Sequence, residues 1–136
     1  MRILCAFLMV AVVVGFFAVT AGDALAKPHS NGFYVNDEGD RAFEFRNHSL
    51  NDNYDIYEWK KIGGTWYRMD EISDPMRIEG WDSSDWNDIY HGDELTYEMR
   101  GKGPGEPDDV IEVRDPNTGI NLGDFTYVGT TRYSLP

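Results

Sequence analysis

From residue 32 onward, no stretch of ten residues repeats its apolar positions at the 3.6-residue period of a helix. Short runs of two-residue alternation recur instead, each closed by a cluster of Gly, Pro, Asp or Asn. Residues 42–46 show the pattern plainly, with Phe43 and Phe45 on one face and Glu44 and Arg46 on the other. Residues 32–35, 76–81, 95–99, 110–114, 120–122 and 125–128 read the same way, and 132–135 reads as a last edge strand. The expectation is all-β: a single small antiparallel β-sandwich, Ig-like or jelly-roll-like, with seven to nine short strands over residues 32–136. Residues 82–88 read as a polar loop with one possible helical turn, and 101–107 as a Gly- and Pro-rich loop.

The strongest local signal is Tyr54 to Asp70, two β-prone runs separated by Gly63-Gly64. Two glycines accept the positive φ angles of a two-residue hairpin, which sets Ile62 against Thr65, Lys61 against Trp66, Lys60 against Tyr67 and Trp59 against Arg68. One face then carries Tyr57, Trp59, Lys61, Trp66, Arg68 and Asp70. The other carries Tyr54, Ile56, Glu58, Lys60, Ile62, Tyr67 and Met69, and its aliphatic residues place it toward the core. The first face becomes an aromatic strip bordered by charge, with inversion of the two faces as the alternative.

Residues 1–26 read as a signal peptide: Arg2, an apolar run from Ile3 to about Ala21, and the small-x-small site Ala24-Leu25-Ala26. An uncleaved anchor is the alternative. Either reading puts the remainder outside the cytoplasm, as a secreted, periplasmic or extracellular domain with a flexible leader over 27–31. Removal of 1–26 takes away Cys5, the only cysteine, and with it any disulfide, thiol nucleophile or cysteine–zinc site. The net charge of −12 opposes nucleic acids and anionic membranes, both of which need basic footprints.

Catalytic signals are thin. Histidines occur at 29, 48 and 91, without Gly-x-Ser-x-Gly or His-Glu-x-x-His. No cofactor is expected, and abundant acids make any carboxylate pair uninformative. Calcium is the one metal the sequence suggests, through Asp82, Asp85 and Asp88 in an oxygen-rich loop that lacks EF-hand order. The segment after residue 26 keeps all four Trp, all eight Tyr and four of seven Phe, more than a small core absorbs. Tyr57, Trp59 and Trp66 would stack a neutral ring, oriented by Lys61, Arg68 and Asp70. Trp81, Trp86 and Tyr90 form a second candidate cluster on a loop.

The expected function is therefore a secreted non-catalytic binding protein for a neutral glycan or a zwitterionic lipid headgroup. The alternative is an acidic interaction protein or inhibitor that meets a basic protein. Residues 95–127 resemble the late strands of aegerolysins: glycines 101, 103 and 105, the strand Val110-Ile111-Glu112-Val113, a turn over 115–119, then Leu122-Gly123-Asp124-Phe125-Thr126-Tyr127. That family continues with Trp and Cys beside a Pro, where this chain has Val128-Gly129-Thr130. The resemblance implies lipid recognition and adds weight to the headgroup alternative.

Overall fold

The computed structural model describes residues 27–48, 52–103 and 107–136; the expected signal segment lies outside the described residues. Nine strands follow in order: β1 (Asn31–Asn36), β2 (Arg41–Asn47), β3 (Tyr54–Ile62), β4 (Thr65–Arg68), β5 (Met76–Ile78), β6 (Asn87–His91), β7 (Glu94–Gly101), β8 (Val110–Arg114) and β9 (Asn121–Gly129). The hairpin register is the one the glycine pair dictates, with Ile62 opposite Thr65 through Trp59 opposite Arg68. Gly63 and Gly64 take φ of 60° and 83°, the double positive-φ turn that matches strand twist.

The sandwich is corrected. Strands β1, β2, β3, β5, β6, β7, β8 and β9 pair in that order, all antiparallel, and β9 then pairs with β1. Eight strands thus close into an up-and-down barrel, and β4 is a ninth strand added to β3. In-and-out alternation is the same in a sandwich and a barrel; closure depends on which distant edges meet, and alternation does not encode that. The expected strand over 132–135 is instead one 3-10 turn, Arg132–Ser134. The expected loop over 82–88 runs into β6, and the two short runs after residue 119 merge into β9.

An eight-stranded barrel has an interior just wide enough for side chains to fill. Here Phe43, Phe45, Tyr54, Ile56, Ile89, Met99, Ile111, Val113 and Phe125 fill it, each at most 2% exposed. At one end Tyr34 donates its hydroxyl to the Asp108 carbonyl at 2.6 Å, and Tyr54 donates to the Pro28 carbonyl at 3.1 Å. Burial pushes the Tyr34 phenol well above its ordinary range, so it stays a donor. Residues 27–30, expected as a flexible leader, are therefore tied across this end, and Pro28 bridges Asp108 in parallel. Trp81, expected in an exposed loop cluster, is 5% exposed and packs against Phe45 and Tyr54.

The opposite end is closed by charge. Arg41 donates to Glu58 at 2.8 Å and to Tyr97 at 3.1 Å, while the Tyr97 hydroxyl donates to Glu58 at 3.1 Å. Beyond this closure the β3–β4 ribbon continues past the barrel. Its inner face was expected in the core, yet Ile62, Tyr67 and Met69 are 57%, 50% and 42% exposed. Tyr54 and Ile56 of the same face do enter the core, so the face is inward only where the ribbon runs along the barrel wall.

Candidate functional site

Tyr57, Trp59, Lys61, Trp66 and Arg68 share one outer face of the barrel, whereas Asp70 lies past the end of β4, and the structure does not leave that face open. Tyr57 and Trp59 are 3% and 6% exposed, in a second cluster with Phe33, Val35 and Ala42 against which Trp66 and Leu135 pack. The Tyr57 hydroxyl donates to the Ile72 carbonyl at 2.9 Å, and the Arg46 and Arg68 guanidinium groups sit 4.9 and 5.8 Å from its ring centre. Trp66 Nε1 and Lys61 Nζ both donate to the carbonyl oxygen of Pro136, at 2.8 and 3.2 Å. Asp70 turns to the backbone and accepts from the Glu58 N–H at 2.7 Å. Its carboxyl still sits above the ordinary range, because burial outweighs that hydrogen bond. The strip is a covered layer, and a free ligand meets little of it.

Nor does the structure bring Asp82, Asp85 and Asp88 together. Asp82 accepts from the Ser84 N–H and hydroxyl at 2.9 and 2.7 Å, which hold its carboxyl below the ordinary range. Asp85 accepts from the Trp86 N–H at 2.7 Å, and Asp88 stands on β6 opposite Glu98 of β7. Among the described residues no three acidic, histidine or cysteine side chains converge as metal ligands. A spacing of three residues supplies donors, but a loop followed by a strand points them apart.

The open concavity lies elsewhere, along the β5–β6 seam. Those strands share a single residue pair, Arg77 with Tyr90. Three local features keep them apart. Pro75 offers no N–H just before β5, β5 is three residues long, and Gly80 at φ 82° turns the chain away. On the other flank of β6 the ladder shifts register between Ile89 and Tyr90, and the Thr96 hydroxyl donates to the Ile89 carbonyl at 3.0 Å. The result is a groove of about 780 Å³ lined by Ser73, Asp74, Pro75, Arg77, Ile78, Glu79, Gly80, Trp86, Asn87, Asp88, Tyr90 and Gly92. That volume falls within the roughly 300–1,000 Å³ usual for small-ligand sites.

Two rings line it, and one is held firmly. Trp86 has the Arg114 and Arg100 guanidinium groups 3.9 and 4.5 Å from its ring centre. Those arginines are themselves fixed, Arg114 to Glu98 at 2.7 Å and Arg100 to Glu112 at 3.0 Å. The loop before Trp86 is organised by buried Asn87, which donates to the carbonyls of Asp82, Asp85 and Met99 and accepts from the Asp82 N–H. Tyr90 is the free ring, 41% exposed. Asp74, Glu79 and Asp88 supply carboxylates; Asp74 pairs with His91 at 3.0 Å, and Arg77 with Asp55 at 3.2 Å. Trp86 and Tyr90 were legible as candidates, but Asn87, Pro75 and the narrow seam carried no sequence signal of this role.

Asp88 sits above the ordinary carboxylate range, first through loss of solvent and then through the facing Glu98. Asp88→Asn should therefore stabilise the fold at pH 7, because Asn replaces a repelling charge with a donor. The expected gain is about 0.2–0.5 kcal/mol, the low end for a cross-strand like-charge pair, because Asp88 is exposed and Glu98 is already paired with Arg114. A carboxyl raised on folding weakens the fold as pH rises through its folded value. The gain should therefore shrink below pH 4, where wild-type Asp88 is itself protonated. Melting curves of both proteins at pH 7 and pH 3.5 check it; an equal gain at both would remove the Asp88–Glu98 explanation.

The class these features define is an up-and-down eight-stranded antiparallel barrel with a filled interior and an external, aromatic and acidic groove. Comparison with known proteins finds no matching protein family, no matching curated protein and no matching solved structure.

Proposed function

We propose that the protein is an exported, non-catalytic binding protein that holds a neutral glycan in the β5–β6 groove. The observation that carries this reading is the pairing of a firmly held Trp86 with an open Tyr90 in one concavity that also offers the carboxylates of Asp74, Glu79 and Asp88. Sugar rings present apolar C–H faces to aromatic rings and hydroxyl donors to carboxylate acceptors. A ring fixed before binding loses little freedom on binding, which favours affinity. The strip at Tyr57, Trp59 and Trp66 gives way to this groove as the ligand platform, because its two central rings are covered.

The test is an oligosaccharide array with purified protein, followed by titration of any hit against Tyr90→Ala. The variant should bind about tenfold or more weakly, equivalent to about 1.4 kcal/mol, and melt within about 2 °C of wild type. Two further probes run beside it, phosphocholine vesicles and a lysine-rich peptide. Binding of vesicles alone would assign the groove to a zwitterionic headgroup. Binding of the peptide alone, weakening steeply with salt, would assign the protein to the acidic interaction class. Equal affinity of wild type and Tyr90→Ala for the hit would sink the groove as the site.

A further inference from the structure

Strand direction places the turns over 37–40, 91–94 and 115–120, together with the β3–β4 ribbon, at the end of the barrel that Arg41 and Glu58 close. Short contacts tie them together there. The Lys61 N–H donates to the Asp40 carbonyl at 2.9 Å, His91 pairs with Asp74 at 3.0 Å, and the Asn117 side chain donates to the Leu95 carbonyl at 3.3 Å. Five of the eight large apolar side chains exposed among the described residues gather at this end. Ile62, Tyr67 and Met69 stand on the ribbon, Ile72 on its connection to β5, and Ile120 on the turn into β9. Single exposed apolar residues need no explanation, but a concentration of them at one end marks a contact surface.

Charge divides the same end in two. Residues 59–69 hold Lys60, Lys61 and Arg68 and no acid, although the whole chain carries 24 acidic residues against 12 basic ones. Around the ribbon, residues 37–40, 71–74 and 93–94 place three, two and two exposed carboxylates. Among the described residues no strand lies beside the outer edge of β4. A basic, apolar projection therefore rises from an acidic rim. An anionic membrane would meet the repulsion of the rim, and a basic protein that of the ribbon. A second copy, turned by a two-fold, offers each feature its opposite: an acidic rim for the ribbon and a ribbon for the rim. Repulsion between two chains of −12 is screened beyond about 8 Å at physiological salt, whereas ion pairs enclosed at a contact are screened much less.

We propose that the protein forms a two-fold dimer through this end, with the face of each ribbon that carries Lys60, Ile62, Tyr67 and Met69 set against the acidic rim of the other copy. The surface is isologous, so the association closes at two and every substitution in it acts twice. The dimer needs no ligand in the β5–β6 groove.

Sedimentation equilibrium of the purified protein is the test. Wild type should pass from monomer to dimer as its concentration rises, with no larger species. Ile62→Asp and Lys60→Glu should each weaken dimerisation about a hundredfold, a tenfold loss at each of the two ribbons. Ile62 is exposed, so its variant should melt within about 2 °C of wild type; if either variant fails to fold, the other decides. Val128→Asp, exposed at the far end of β9, is the control and should dimerise like wild type. A wild type that stays monomeric, or a dimer that either folded ribbon variant leaves unchanged, overturns the proposal. Species larger than a dimer overturn the two-fold. A monomer that sediments with phosphatidylserine vesicles, and loses them in Ile62→Asp, also overturns it and gives the ribbon to an anionic lipid surface. Glycan retention by the β5–β6 groove is read separately on Ile62→Asp, so the two proposals fail independently.

Discussion

Trp59→Ala is expected to destabilise the protein by about 3–5 kcal/mol, the range for deleting a buried large aromatic. Trp59 is 6% exposed, packs edge-to-face on Phe33 at 5.5 Å, and donates its indole N–H to Glu44 at 3.0 Å. The alanine removes the ring and also one partner of Glu44, a carboxylate only 8% exposed that keeps Arg46 at 2.9 Å. Against a total stability of about 5–15 kcal/mol for a natural domain, that loss is a large share. Urea unfolding measures it directly. Trp59→Phe should recover most of the loss, since it retains the packing and gives up a hydrogen bond worth about 1 kcal/mol. A loss below about 1 kcal/mol for the alanine would mean that the ring is peripheral, and the strip would return as an open platform.

Gly32→Ala should cost about 3 kcal/mol or more, for a different reason. Gly32 lies where β1 meets β9, at φ 139°, a backbone region closed to side chains at low energy. A Cβ there would stand 2.6 Å from the carbonyl oxygen of Gly129 and would also meet the Tyr127 ring. The backbone of β9 cannot withdraw without breaking the pairs that close the barrel, so strain adds to overpacking. Gly64→Ala is the control: its φ is also positive, at 83°, but nothing lies within 4 Å of the new atom. It should lose only about 1–2 kcal/mol, the cost of the left-handed conformation. Equal losses in the two variants would show that the close approach at the β1–β9 seam contributes nothing.

These two positions also show what the sequence revealed and where it stopped. Alternation and the Gly63-Gly64 pair encode local geometry, so the hairpin register and the division of its faces were legible residue by residue. Exposure was not legible. Whether Trp59 meets water depends on residues 132–136, more than 70 positions away, and nothing in a period-two pattern reports a segment laid over it. Ile62, Tyr67 and Met69 failed in the opposite direction: their face is the inner one, yet the barrel ends before reaching them. The groove rests on a ladder cut to a single pair between β5 and β6, and a shortened ladder leaves no motif. Its rings, Trp86 and Tyr90, could be named, whereas the arginines that hold Trp86 reach it from β7 and β8, across a strand register that alternation alone does not give.

The closure of β1 upon β9 has a consequence for timing. Apart from that closing pair, each barrel strand pairs with the next one along the chain, so most pairing needs only short loops and can form as the sequence emerges. Phe33 and Gly129 meet across almost the whole described chain, and their contact comes with the largest loop entropy in the molecule. Without β9 in place, β1 has no partner on that side and the sheet has two open margins. Such margins are templates for pairing with neighbouring chains. Until the ninth strand arrives, the mutual repulsion of a chain with net charge −12 is the force that keeps those copies apart.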